Sequence, residues 1–161
     1  MTKMDKNTKI IAAATAATAV SFFLPWIDTG FGGIAPSNVS QMGPEIMSWG
    51  TYVFFGSFLL AAITCLVHTT GKENAKIAIA TGVLPFVILV YAILETNSLI
   101  TEALGSNFDW SNFGQLFQVF GIGVPAYFLG SLVTVITGFI AFQAEEDRMS
   151  LKGSEPTGDA S

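Results

Sequence analysis

Apolar residues run along this chain in four long blocks separated by short polar segments. The blocks cover residues 10–27, 49–67, 77–94 and 117–142, and none of them contains Lys, Arg, Asp or Glu. An uninterrupted apolar run of about 18 residues or more is the length of a membrane-crossing helix, not of a buried strand. Inside lipid every backbone N–H and C=O needs a partner within the protein, so each block is expected to be helical. The pattern predicts an all-α integral membrane protein, a four-helix bundle. The remaining segments are then a basic N-terminus at 1–9, an outer loop at 28–48, a cytoplasmic loop at 68–76, a second outer loop at 95–116 and a disordered tail at 143–161.

The polar segments also set the direction of threading. Lys3, Lys6 and Lys9 precede the first block, Lys72 and Lys76 separate the second and third, and Arg148 and Lys152 follow the fourth. With four spans all seven basic residues fall on one side. The bias of Lys and Arg toward the cytoplasm therefore places both termini there. Trp26, Trp49 and Trp110 fall at the opposite ends of the spans, with Tyr91 about a turn from another, as expected of interfacial anchors. Lys9 followed by IIAAATAATA also fits the start of a cleaved signal, but apolar character continues to Trp26 and favours a retained first span.

Segment 95–112 places Glu95, Ser98 and Glu102 on one helical face and Leu99, Ile100, Ala103 and Leu104 on the other. Either the third helix continues outward or a short amphipathic helix lies on the outer leaflet.

Composition agrees with a membrane protein. Of 161 residues 51% are hydrophobic and only 12% charged, against about 25% charged in a soluble domain. The net charge of −5 argues against a nucleic-acid partner. A single cysteine, Cys65, excludes an intramolecular disulfide. The expected partners are the lipid bilayer and other membrane subunits, or a second copy of the chain.

Lipid tails are as apolar as leucine, so helices associate through small residues that let backbones approach. The first span offers Ala12 and Ala16, and beside them Ala13 and Ala17, at four-residue spacing. The fourth offers Gly130, Thr134 and Gly138, with Gly123 one heptad earlier. Pro85 and Pro125 sit within the third and fourth spans, where a missing N–H bends a helix. These stripes are where association with a partner or a second copy is expected.

Candidates for chemistry are few. Gly121-Ile-Gly-Val-Pro-Ala126 spells the dinucleotide-binding glycine pattern, yet it lies in an apolar span and contains a proline, so it reads as packing or a helix start. His68 is the only histidine and lacks partner ligands of suitable spacing. Asp28, Glu45, Glu95, Glu102 and Asp109 are the five outer carboxylates and the only candidate cation ligands, with no calcium-loop spacing among them. No ionisable residue lies near the centre of a span, as proton relays and voltage sensors need. No catalytic, cofactor-binding or metal-site motif is present, and the chain is expected not to be an enzyme.

Phe23-Leu24-Pro25-Trp26 at the end of the first span, Gly56 in the second, and Gly121, Gly123 and Gly130 in the fourth give a resemblance. The chain resembles small four-span membrane proteins of bacteria, which implies a bacterial inner (plasma) membrane. Its topology is also similar to that of claudin-type tetraspans, although the loop cysteines of that group are missing. Neither resemblance supplies a catalytic residue. The expected role is that of an accessory or structural subunit acting through helix and outer-loop contacts. The alternative is a small oligomeric channel, transporter or holin-like pore, for which Thr15, Thr18 and Ser21, or Thr134 and Thr137, would have to line the path.

Overall fold

The computed structural model describes residues 5–28, 32–39, 49–67, 71–104 and 120–153. Helix α1 spans Lys6–Val20 and tightens into a 3-10 turn over Ser21–Phe23. A two-stranded antiparallel ribbon follows, β1 Ile27–Asp28 and β2 Gly33–Ile34, and then the short helix α2, Pro36–Val39. Three long helices follow among the described residues: α3 Trp49–Leu66, α4 Lys72–Leu104 and α5 Gly123–Gly153. All three are long and apolar enough to cross a membrane, and they pack together with α1 against them.

The helices alternate in direction. Thr64 of α3 meets Thr81 of α4, and Ser57 of α3 meets Tyr127 of α5. Gly82 and Gly138 close the antiparallel α4–α5 contact, and Gly130 faces Ala14 and Thr18 of α1. Lys72 at the start of α4 pairs with Glu146 near the end of α5 at 2.7 Å. The basic starts of α1 and α4 and the basic end of α5 therefore lie at one end of the bundle.

Burial runs opposite to that of a water-soluble bundle. The interior is made mostly of small and hydroxylated residues, among them Thr15, Thr18, Ser57, Ala61, Thr64, Ala78, Ser131 and Thr134, with Ile11, Phe58 and Tyr127 as its larger members. Large aliphatic and aromatic side chains such as Leu59, Ile63, Val87, Leu94, Leu129 and Ile136 point outward. A continuous apolar perimeter of this kind is costly in water and neutral in lipid.

Helix ends differ from the sequence expectation for identifiable reasons. The first span was expected over 10–27, yet α1 starts at Lys6, ends at Val20 and leaves helical geometry at Leu24 (φ −86°, ψ 149°). Pro25 enforces this, since the residue before a proline is excluded from the α region. Helix α4 extends through residues 95–104, so the outward continuation is what forms, without a break at residue 94. Helix α5 begins at Gly123 rather than 117, because Phe120 and Gly121 pair with the Ile27 strand. It then runs beyond Phe142 to Gly153 instead of fraying after 142. Here Lys72 pairs with Glu146 and Arg148 with Glu145, and the segment contains good helix formers.

Candidate functional site

At the end of the bundle opposite the lysines, backbone hydrogen bonds tie separate elements together. Pro25 cannot continue α1, so the chain turns back and lays Trp26 over the bundle. The Trp26 N–H donates to the Ile34 carbonyl at 2.8 Å, and its carbonyl accepts from the Gly121 N–H at 2.9 Å. The Pro25 carbonyl accepts from the Gly123 N–H at 2.8 Å. The Pro25-Trp26 dipeptide is thus stitched to the ribbon on one side and to the start of α5 on the other.

Glycine is required on both sides of that seam. A Cβ on Gly121 would collide with the Pro25 carbonyl, and one on Gly123 with the Trp26 ring. A Cβ on Gly33 would strike the Pro25 ring. The glycine pattern at 121–126 therefore serves close approach of two backbones at a helix start.

Trp26 turns its indole inward. Its ring lies 5.0 Å from Tyr127 and 5.3 Å from Phe54, the latter edge to face, with Phe58 and Phe128 beyond. The indole N–H donates to the Ser21 carbonyl at 3.0 Å, which also accepts from the Leu24 N–H at 3.2 Å where α1 ends. The half-buried ring thus covers the end of α1 and packs into the bundle end. Trp49 and Tyr91 are 85% and 51% exposed. Trp110 lies outside the described residues.

Beside this aromatic cluster a cleft opens between α3, α4 and α5. Its deeper part has a volume of about 670 Å³ and includes Trp26, Phe54, Pro85, Phe86, Tyr127 and Phe128 in its walls. An adjoining outer part of about 440 Å³ shares Trp26, Phe54 and Ala92 with it and reaches Thr51, Tyr91 and Glu95. Among the α4 residues whose burial is described, Pro85 is the last that is buried; from Val87 to Glu95 the helix is largely exposed. Without an N–H, Pro85 cannot bond the Thr81 carbonyl, and the cleft begins at this interruption.

Interior hydroxyls are bonded mostly to their own helices. Thr15 donates to the Ile11 carbonyl at 2.8 Å, Thr18 to Ala14 at 3.1 Å, Ser131 to Tyr127 at 2.7 Å and Thr134 to Gly130 at 2.8 Å. Ser21 likewise donates to the Thr18 carbonyl at 2.6 Å. Among the described residues, Ser57–Tyr127 at 2.6 Å and Thr64–Thr81 at 2.9 Å cross between helices. The threonines and serine considered as pore-lining residues (Thr15, Thr18, Ser21, Thr134 and Thr137) are all buried in the bundle.

The small-residue stripes meet each other within the chain. A Cβ on Gly130 would approach Thr18 Oγ1 to 2.6 Å and the Ala14 carbonyl to 2.8 Å. On α1 the buried line is Ile11, Ala14, Thr15 and Thr18, while Ala12 and Ala16 lie half-buried at its edge. Gly138 faces Ala75 and Ile79 of α4, and Gly123 faces Trp26. Sequence periodicity did not single out Gly82, whose Cβ would approach the Ser131 carbonyl to 2.7 Å. Tyr127, the largest fully buried side chain, was also missed. A tyrosine four residues before Ser131 on a glycine-bearing face was the available signal.

The carboxylates are only partly described. Asp28 is exposed at the end of β1, and Glu95 is exposed at the cleft mouth. Glu102 lies on the outer extension of α4, and Glu45, Asp109 and His68 lie outside the described residues. Among the described residues no three His, Cys, Asp or Glu side chains form a metal-binding group.

An apolar perimeter, three helices of spanning length and a small-residue interior define the class, a helical bundle built to contact lipid. Compared with known protein families, with curated proteins and with solved structures, the chain matches none.

Proposed function

We propose that this protein is a four-span membrane protein with both termini cytoplasmic, acting as a non-catalytic accessory or structural subunit of a membrane assembly. One observation carries the reading: the bundle hides its small and hydroxylated residues and presents its large apolar ones. That distribution suits lipid and neighbouring helices as surroundings.

The fourth span in this reading is α1. Its 15 helical residues and three-residue 3-10 turn reach roughly 28 Å at standard rises. This is close to the roughly 30 Å hydrocarbon core. The grouping of Lys6, Lys9, Lys72, Lys76 and Arg148 at one end supports cytoplasmic termini. The resemblance to small bacterial four-span proteins points to the inner membrane.

Because the stripes on α1 and α5 face each other, contacts with other subunits fall to the outer faces. On α3 that face holds Tyr52, Gly56, Leu59 and Ile63. Gly56 has open space where a Cβ would stand, which leaves room for a neighbouring helix to approach. Back-bonded interior hydroxyls favour this role over a pore.

Affinity purification from native membranes in mild detergent tests the proposal. A stoichiometric foreign subunit is the expected result. A lone monomer overturns it, and a homo-oligomer that passes ions in liposomes moves the assignment to the pore.

A further inference from the structure

The cleft between α3, α4 and α5 has a chemical character of its own. Its deeper volume, about 670 Å³, lies in the range of small-molecule sites, about 300–1,000 Å³. Six aromatic residues line it, Trp26, Phe54, Phe86, Phe120, Tyr127 and Phe128. Among the described residues no Lys or Arg lines either part of the cleft, and the carboxylate in its lining is Glu95. Glu95 enters none of the three ion pairs among the described residues.

Depth matters as much as lining. Glu95 stands 23 residues beyond Lys72 on one helix, about 35 Å at 1.5 Å per residue. In the proposed orientation this puts the carboxylate at the outer headgroup level and the aromatic rings just below it. The arrangement combines an apolar body site, ring faces of negative potential and a carboxylate at the entrance.

We propose that this cleft binds a small lipophilic cation, of the aromatic phosphonium or alkylammonium type, with its body among the rings and its charge toward Glu95. Charge complementarity selects this occupant. A neutral apolar molecule gains nothing from Glu95, and an anion is repelled by both the carboxylate and the ring faces. A hard metal cation requires several oxygen ligands, and Glu95 and Thr51 are too few. The site places a ligand beside Trp26, so occupancy bears on the stitch that joins α1 to α5.

Equilibrium dialysis of the full chain in detergent, with tetraphenylphosphonium and its anionic isostere tetraphenylborate, tests this. The expected result is saturable phosphonium binding at one equivalent, with borate about tenfold weaker or worse. Glu95→Gln should weaken phosphonium binding about tenfold without changing the circular dichroism spectrum. Ala92→Trp, which fills the junction of the two parts, should abolish it. Equal uptake of both ions, or unsaturable uptake, shows only an apolar cavity and overturns the proposal. Absence of binding, or binding indifferent to Glu95→Gln, overturns it as well. A tightly held phospholipid that phosphonium does not displace assigns the cleft to lipid and has the same consequence.

Discussion

Tyr127 Oη and Ser57 Oγ meet 2.6 Å apart across the α3–α5 contact, and the supply of protons fixes the direction of the bond. Ser57 Oγ also lies 2.6 Å from the Phe54 carbonyl, which can only accept. With one proton on each hydroxyl, Ser57 donates to Phe54 and Tyr127 donates to Ser57. Both protons are then used, and the reverse assignment leaves the Phe54 carbonyl contact without one.

This direction makes the two halves of the pair unequal. Tyr127→Phe removes a donor and leaves Ser57 bonded to Phe54, so its cost should be about 0.6–1 kcal/mol. Ser57→Ala leaves the buried Tyr127 hydroxyl without its acceptor, a loss of about 1–3 kcal/mol. Adding Tyr127→Phe to Ser57→Ala should restore part of the difference. Unfolding in mixed micelles at increasing dodecyl sulfate measures all three; equal losses for the two single variants would remove the assignment.

The glycines divide by what stands opposite them. Gly130→Ala drives a methyl group against Thr18 and the Ala14 carbonyl, and overpacking of this kind costs about 1–3 kcal/mol. Gly56→Ala meets nothing and should stabilise the isolated chain by up to about 1 kcal/mol through helix propensity. Thermal melts of the purified monomer should move in opposite directions. A matching loss for Gly56→Ala would place an unrecognised neighbour against α3.

A third expectation concerns the stitch at Pro25-Trp26. Gly121→Ala meets backbone that is hydrogen-bonded on both sides, so it should cost at least as much as Gly130→Ala, about 1–3 kcal/mol. It should also disturb the near-ultraviolet circular dichroism of the aromatic cluster while helix content stays. An unperturbed aromatic signal would mean that the ribbon does not hold the Trp26 ring.

The Lys72–Glu146 pair should matter little. Its side chains are 32% and 50% exposed, and such pairs are worth about 0.2–1 kcal/mol. Glu146→Gln should shift the melting temperature only slightly, the more so in high salt. A large shift would show that the α5 extension is held by this contact alone.

Threading is testable without perturbing the fold. In a Cys65→Ala background, Lys6→Cys and Arg148→Cys should both react with an impermeant maleimide from the cytoplasmic side, and Ser37→Cys from the opposite side. Labelling of Lys6→Cys and Arg148→Cys from different sides would reduce the spans to three.

What the sequence made legible was the apolar blocks, because membrane crossing depends on transfer free energy summed along a run. Helix α3 coincides almost residue for residue with its block. Hydropathy says where lipid ends, however, and not where a helix ends. Helices α4 and α5 therefore run ten or more residues past their apolar blocks on ordinary helix propensity. The Trp26 position was visible as a break at Pro25. The inward turn of the indole was not, since it depends on Phe54, Phe58 and Tyr127 arriving from two other helices. The hydroxyl seam was equally hidden: Ser57, Thr64 and Thr81 are scattered single residues until α3 and α4 lie side by side. The cleft belongs to that class as well, because it is a gap between helices and no one segment encodes it.

The back-bonded hydroxyls have a consequence for how the protein is made. Thr15, Thr18, Ser131 and Thr134 each satisfy themselves within one turn of their own helix. Segments so equipped can leave the translocation machinery one at a time, without waiting for a partner to quench their polar atoms. Tyr127 is different, because its hydroxyl sits at the far end of a rigid ring and takes its acceptor from α3. Helix α5 thus arrives with the Tyr127 donor unquenched, and α3, made before it, is already in place to receive it. Assembly would then include a latch between α3 and α5, and a chain truncated before Tyr127 should insert yet never lock.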